Sequence, residues 1–159
     1  MCKILKKPIS LYVFVVSFFI LTHFCFAQEL AQITNLQDFN NFRWQGNDDL
    51  EGNSNLCVFS DTGRYSVNIQ GNNGGFFLKY NLSTIPYYVK WSNSSSSNNA
   101  TSVSHNITLT GQTGAKTNFD DCEFNNNANL TIVFNEADLQ NAAAGNYEGY
   151  LTIIIEAEY

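Results

Sequence analysis

The feature that most constrains this chain is a period-two alternation of apolar and polar residues, recurring in short runs bounded by Gly, Asn, Asp and Ser. Successive side chains of a strand point to opposite faces, so such a run buries one face and wets the other. In Arg64-Tyr-Ser-Val-Asn-Ile-Gln70, the residues Tyr65, Val67 and Ile69 share one face while Arg64, Ser66, Asn68 and Gln70 share the other. Asp61-Thr-Gly63 before it and Gly71-Asn-Asn-Gly-Gly75 after it are turn chemistry. The same rule predicts strands carrying Phe76, Leu78 and Tyr80; then Ile85, Tyr87, Val89 and Trp91; then Val103, His105, Ile107 and Leu109; then Leu130, Ile132 and Phe134. The longest run, Tyr147 to Tyr159, puts Leu151, Ile153, Ile155, Ala157 and Tyr159 on one face.

Adding Leu56–Phe59, and a further candidate around Phe39–Trp44, gives seven or eight short strands. No helical period of any length competes after residue 28; Glu136 to Ala144 predicts one helical turn or so, with Ala142–Ala144 favouring helix and Gly145 stopping it. Ser92 to Ala100 reads as a low-complexity polar loop. The fold class is therefore all-β, an immunoglobulin-like antiparallel β-sandwich of seven or eight strands, with a closed barrel as the alternative that strand count does not separate.

The start of the chain follows other rules. Lys3, Lys6 and Lys7 precede an apolar run from Leu11 to Leu21, and Phe26-Ala27 is a cleavage point before Gln28. Residues 1–27 read as a secretory signal peptide, and residues 28–159 as a single β-sandwich domain. A lipid anchor on Cys25 is disfavoured because Thr22-His23-Phe24 lacks the small residue that such processing wants. Export implies an oxidising compartment, and only Cys57 and Cys122 remain after cleavage, so the two are expected to pair. Closing a loop of that length is worth about 4 kcal/mol on the chain-entropy estimate.

Charge and residue counts then exclude several functions. Three of the eight basic residues lie in the leader, so the exported chain sets five against 14 acidic side chains, a formal charge of −9. Phosphate-driven nucleic-acid binding needs Lys and Arg clusters that are missing, and an anionic membrane surface is disfavoured in the same way. His105 is the one histidine of the exported chain: with two cysteines expected to pair it falls short of a zinc site, and any nucleophile–histidine catalysis would have to rest on it alone. It sits on the apolar parity of its run and reads as a core histidine bonded to backbone. Asp48, Asp49 and Glu51, and Asp120, Asp121 and Glu123, lack the spacing of the twelve-residue calcium loop and read as solvated loop charge. The sequons at Asn81, Asn93, Asn99, Asn106 and Asn129 read as turn and surface composition. No cofactor, metal or catalytic residue is implied, which leaves binding or assembly.

Two binding modes follow. Aromatic residues off the inward parity, Trp44, Phe77 and Tyr88, are candidates for stacking on sugar rings, as in a carbohydrate-binding or adhesive sandwich. The other mode comes from a resemblance. Leu56-Cys-Val-Phe-Ser-Asp-Thr-Gly-Arg-Tyr-Ser-Val67, together with Asn129-Leu-Thr-Ile-Val-Phe134 and the ending Ala144-Gly-Asn-Tyr-Glu-Gly-Tyr-Leu-Thr-Ile-Ile-Ile155, resembles the spore coat protein U-like domains, the pilins of archaic chaperone–usher pili. The likeness spans most of residues 36 to 159.

That resemblance implies an exported, non-enzymatic pilus (fimbrial) subunit or pilus-associated surface protein. Such a subunit passes the inner membrane to the periplasm and then the cell surface or pilus, keeping no membrane span after signal cleavage. Its partners would be a periplasmic chaperone, an usher and neighbouring pilin subunits, joined by strand addition to an open edge. Carried over by position, Leu151, Ile153 and Ile155 would line the strand-acceptor groove with Leu130, Ile132 and Phe134 opposite, and Tyr147, Tyr150 and Tyr159 would be chaperone contacts. The chain departs from the family in lacking a cysteine before the strand of Cys57, and Leu30, Ile33, Leu36 and Phe39 recur every third residue, unlike a donor strand. Two readings follow: a terminal subunit that accepts a strand but donates none, or a self-complete sandwich using residues 33–44 as its own strand.

Overall fold

The computed structural model describes residues 30–40, 42–123 and 125–159; the signal peptide read at residues 1–27 lies outside them. Ten strands are described: β1 (Ala31–Thr34), β2 (Leu50–Ser60), β3 (Arg64–Gly71), β4 (Phe77–Tyr80), β5 (Ser83–Pro86), β6 (Tyr88–Ser92), β7 (Thr101–Val103), β8 (Leu109–Thr113), β9 (Ala128–Phe134) and β10 (Leu151–Ala157). One sheet runs β1-β2-β9-β6-β7 and a second runs β10-β3-β8, all in antiparallel ladders, while β4 and β5 form a separate hairpin. The two larger sheets share one core. Leu56 and Val58 of β2, Leu130, Ile132 and Phe134 of β9, and Val89 and Trp91 of β6 meet Tyr65, Val67 and Ile69 of β3. The all-β sandwich expected from the alternation is the architecture observed.

Local chemistry explains the strand ends. The chain reverses between β2 and β3 through Gly63, whose φ of +72° favours glycine, with its N–H donating to the Ser60 carbonyl at 2.9 Å. Where β9 stops at Ala128, the Asn127 side chain replaces a neighbouring strand: its Oδ1 accepts from Val58 N at 2.7 Å and its Nδ2 donates to Val58 O at 2.9 Å. On the outer side of β2, Cys57 is bridged to Cys122 in a short 3-10 helix (Phe119–Cys122), with Cα atoms 5.5 Å apart. The expected pairing is thus observed. Phe59 and Phe119 pack edge to face beside it, ring centres 5.8 Å apart.

Several sequence expectations need correction. The strand expected from Val103 to Leu109 is two strands in different sheets, because Asn106 adopts a left-handed φ of 57° and the intervening residues turn. The run from Ile85 to Trp91 breaks at Tyr87, although Ile85, Tyr87, Val89 and Trp91 all point into the core as the alternation required. The segment Phe39–Trp44 is not a strand; its described residues lie between β1 and β2 in irregular structure. The helix α1 (Glu136–Asn141) ends before Ala142–Ala144, and Asp49 Oδ1 accepts from the Glu136 N–H at 2.8 Å to cap its start. Residues 93–99 form bends and turns, as their composition suggested.

Candidate functional site

The region that answers to the strand-acceptor expectation is the side of the sandwich bounded by β1 and β10. Each is the last strand of its sheet, and no ladder joins them among the described residues. β10 pairs in unbroken register with β3, from Leu151 opposite Gly71 to Ala157 opposite Tyr65. Its inward residues Leu151, Ile153, Ile155 and Ala157 are only half-buried, whereas Val67, Ile69 and Tyr65 beside them on β3 are fully buried. Its outward residues Thr152, Ile154 and Glu156 are exposed. On its far side β10 forms no ladder among the described residues.

The residues expected opposite, Leu130, Ile132 and Phe134, lie on β9 in the middle of the facing sheet and are buried in the same core cluster that Leu151, Ile153 and Ile155 pack against. The segment raised in the sequence as a strand candidate, Phe39–Trp44, packs here without being a strand. Phe39 and Phe42 stack with ring centres 6.0 Å apart, and Phe42 meets Phe134 edge-on at 5.4 Å. Room for these rings is made on β2, where Gly52 faces inward: a Cβ there would collide with Phe42 Cζ and stand 3.0 Å from Phe39 Cδ1. The next inward residue, the buried Ser54, accepts from the Gln37 N–H at 3.1 Å. A Gly and a Ser on the inward parity of a strand were the available signal for this seat.

The three tyrosines divide. Tyr147 is half-buried, sits 5.7 Å from the Tyr80 ring and donates its hydroxyl to Ala143 O at 3.0 Å. Beside it, Lys79 and Glu148 exchange main-chain hydrogen bonds of 2.9 and 3.1 Å, which fasten the β4–β5 hairpin to the approach of β10. Tyr150 and Tyr159, 70% and 89% exposed, flank β10 at its two ends. Of the three aromatics considered for sugar stacking, Trp44 is half-buried with its indole donating to Asp48 O at 2.9 Å. Phe77 lies on the β4–β5 hairpin, and Tyr88 opens β6 on the outer face of the larger sheet, opposite Val133. The three stand on different elements.

His105 is half-buried between strands, its Nε2 3.2 Å from Gly71 O and its ring edge-on to Phe76 at 5.5 Å. Asn81, Asn93, Asn99 and Asn106 are exposed, while Asn129 is buried on β9 and donates to Asn55 Oδ1 at 2.8 Å. Deep in the core, Tyr65 donates its hydroxyl to Asn93 Oδ1 at 2.8 Å and accepts from Trp91 Nε1 at 3.1 Å. Burial pushes its phenol up to about 12, with the Trp91 bond opposing; Tyr87 is likewise raised to about 12 by burial. Among the described residues no set of three or more His, Cys, Asp or Glu gathers as a metal site, and no helix is long and apolar enough to cross a membrane.

No protein-family model matches the chain, and no curated protein matches it in sequence. Among solved structures it is similar to a chain of a chaperone–tip adhesin complex described as vital for synergistic activation of CFA/I fimbriae biogenesis. The TM-score is 0.52 at 15% identity, covering 80% of this chain and 42% of that one. The chain thus spans less than half the length of the solved chain it matches, and what the two share is a fold.

Proposed function

We propose that this protein is an exported, non-enzymatic pilus subunit or pilus-associated surface protein that accepts a β-strand from a partner along β10. The observation that carries this reading is the contrast in burial across a single ladder: β3 is sealed, and β10, paired on one side only, keeps its apolar face half open. A strand added there would complete the main-chain ladder and cover Leu151, Ile153 and Ile155, with Leu130, Ile132 and Phe134 behind them. The fold likeness to a chain of a fimbrial chaperone–tip adhesin complex supports the same reading.

In its finer form the proposal places the chain with the spore coat protein U-like pilins of archaic chaperone–usher systems. Residues 1–27 direct export, residues 28–159 form one domain, and a periplasmic chaperone, an usher and neighbouring subunits are the partners. Tyr150 and Tyr159, exposed at the two ends of β10, are then the chaperone-facing aromatics, while Tyr147 fixes the approach to the strand. The test is a thermal melt of the exported protein with and without a synthetic peptide alternating Val and Thr. A midpoint that rises with peptide concentration is expected, since a ligand that binds only the folded state stabilises it. A midpoint indifferent to the peptide sinks the proposal.

A further inference from the structure

We infer that the described residues of the 36–44 segment are a built-in occupant of the open edge, which a partner strand must displace before it can bind. The inference rests on the strand-acceptor reading above and adds a regulation to it.

Spacing makes the first argument. Neighbouring strands lie about 4.8 Å apart, so a strand held between two others needs them roughly 10 Å apart. Cα atoms of β1 and β10 come within 8 Å of each other, so the opening is too narrow for a third strand at that end. Toward Leu50 and Phe134, Phe39 and Phe42 pack on the inner face of β2 and β9, against the core the two sheets share.

The second argument is that the seat is shaped for these rings. Gly52 faces inward opposite Ile132, and a methyl group there would overlap Phe42 and press on Phe39. An apolar side chain at that position would fill the core from β2 itself; glycine leaves the filling to the 36–44 segment. The third argument concerns how the segment is held. Among the described residues its main chain makes two hydrogen bonds, Gln37 N–H to Ser54 Oγ and Asn40 N–H to Asp38 O, both 3.1 Å. It offers β10 no ladder. Two aromatic anchors hold it, and an incoming strand that brings both a ladder and alternate apolar side chains makes contacts the segment does not.

Occupancy of the seat lowers apparent affinity by the fraction of molecules that are open, so emptying it tightens binding. The experiment titrates the exported protein calorimetrically with the Val/Thr peptide, in wild type, Phe42→Ala and Gly52→Ala. Phe42→Ala removes one anchor, and Gly52→Ala forces Phe42 to shift and crowds Phe39 while leaving both rings in the chain. Both are expected to bind about tenfold more tightly than wild type, a shift of the size that opening a mostly closed state produces. Folded variants that bind as wild type does, or more weakly, overturn the inference and leave the acceptor reading standing. A peptide that binds none of the three overturns the acceptor reading, and the inference with it. Amide hydrogen exchange on wild type alone gives a readout that needs no variant. Peptide binding is expected to speed exchange at Gln37, and unchanged or slower exchange there overturns the displacement.

Discussion

Strands β9 and β10 are each seven residues long, and each alternates Leu and Ile along one face, yet their surroundings differ. β9 is flanked by β2 and β6, and every one of its side chains is buried on both faces, including Asn129 and Thr131. β10 has β3 on one side, and none of its side chains is fully buried. An alternating pattern fixes which face turns inward. How deeply that face is buried depends on the number of neighbours and on what lies across from it.

The contrast is open to attack by substitution. Leu130→Ala on β9 leaves a cavity in close-packed surroundings and is expected to cost about 2–5 kcal/mol in urea unfolding. Ile153→Ala, half-buried on β10, should cost about 1–2 kcal/mol, because less of its surface leaves water on folding. Equal losses at the two sites would mean that β10 is as well sealed as β9. Alkali attacks the sealed core from another direction. The phenols of Tyr65 and Tyr87 are raised to about 12 in the folded protein, against 10 in the unfolded chain, so unfolding releases their protons first. Their contribution, on the order of 2 kcal/mol each, is intact below pH 10 and drains as pH rises through about 12. A urea midpoint that holds constant from pH 9 to pH 12 would contradict that burial.

The smallest effect concerns the edge itself. Thr34, the last residue of β1, has a buried hydroxyl with no hydrogen-bond partner among the described residues. Thr34→Val removes that unsatisfied group and should raise stability by about 1 kcal/mol. If the N-terminal segment guards the opening, the same substitution should weaken capture of the Val/Thr peptide by holding β1 more firmly.

What was legible in the sequence follows the same physics. β3, β9 and β10 could be read because each takes its inward face from its own alternate residues, and the Cys57–Cys122 bridge because reading residues 1–27 as a leader leaves no other pairing. The first half of β2 was hidden for the opposite reason. Its inward positions Gly52 and Ser54 are not apolar, since the side chains filling the core there belong to Phe39 and Phe42. The short β1 escaped notice because the apolar residues around it recur every third position, and only Ala31–Thr34 pairs with β2. The break between β7 and β8 turns on Asn106 adopting a left-handed φ, which a run of alternating Val, His, Ile and Leu does not announce. Within the candidate site, the half-buried face of β10 followed from its alternation; the occupant across from it depended on two strands seen together.

The placement of the two indoles has a practical consequence. Trp91 is buried in the core and bonded to Tyr65, while Trp44 sits half-buried at the end of the segment that covers the edge. The molecule has no third tryptophan, so its intrinsic fluorescence is a sum of two reporters, one for the interior and one for the edge. Replacing either with Phe would isolate the other's emission. Loss of the segment from its seat and loss of the fold itself could then be followed as separate optical events in an unlabelled chain.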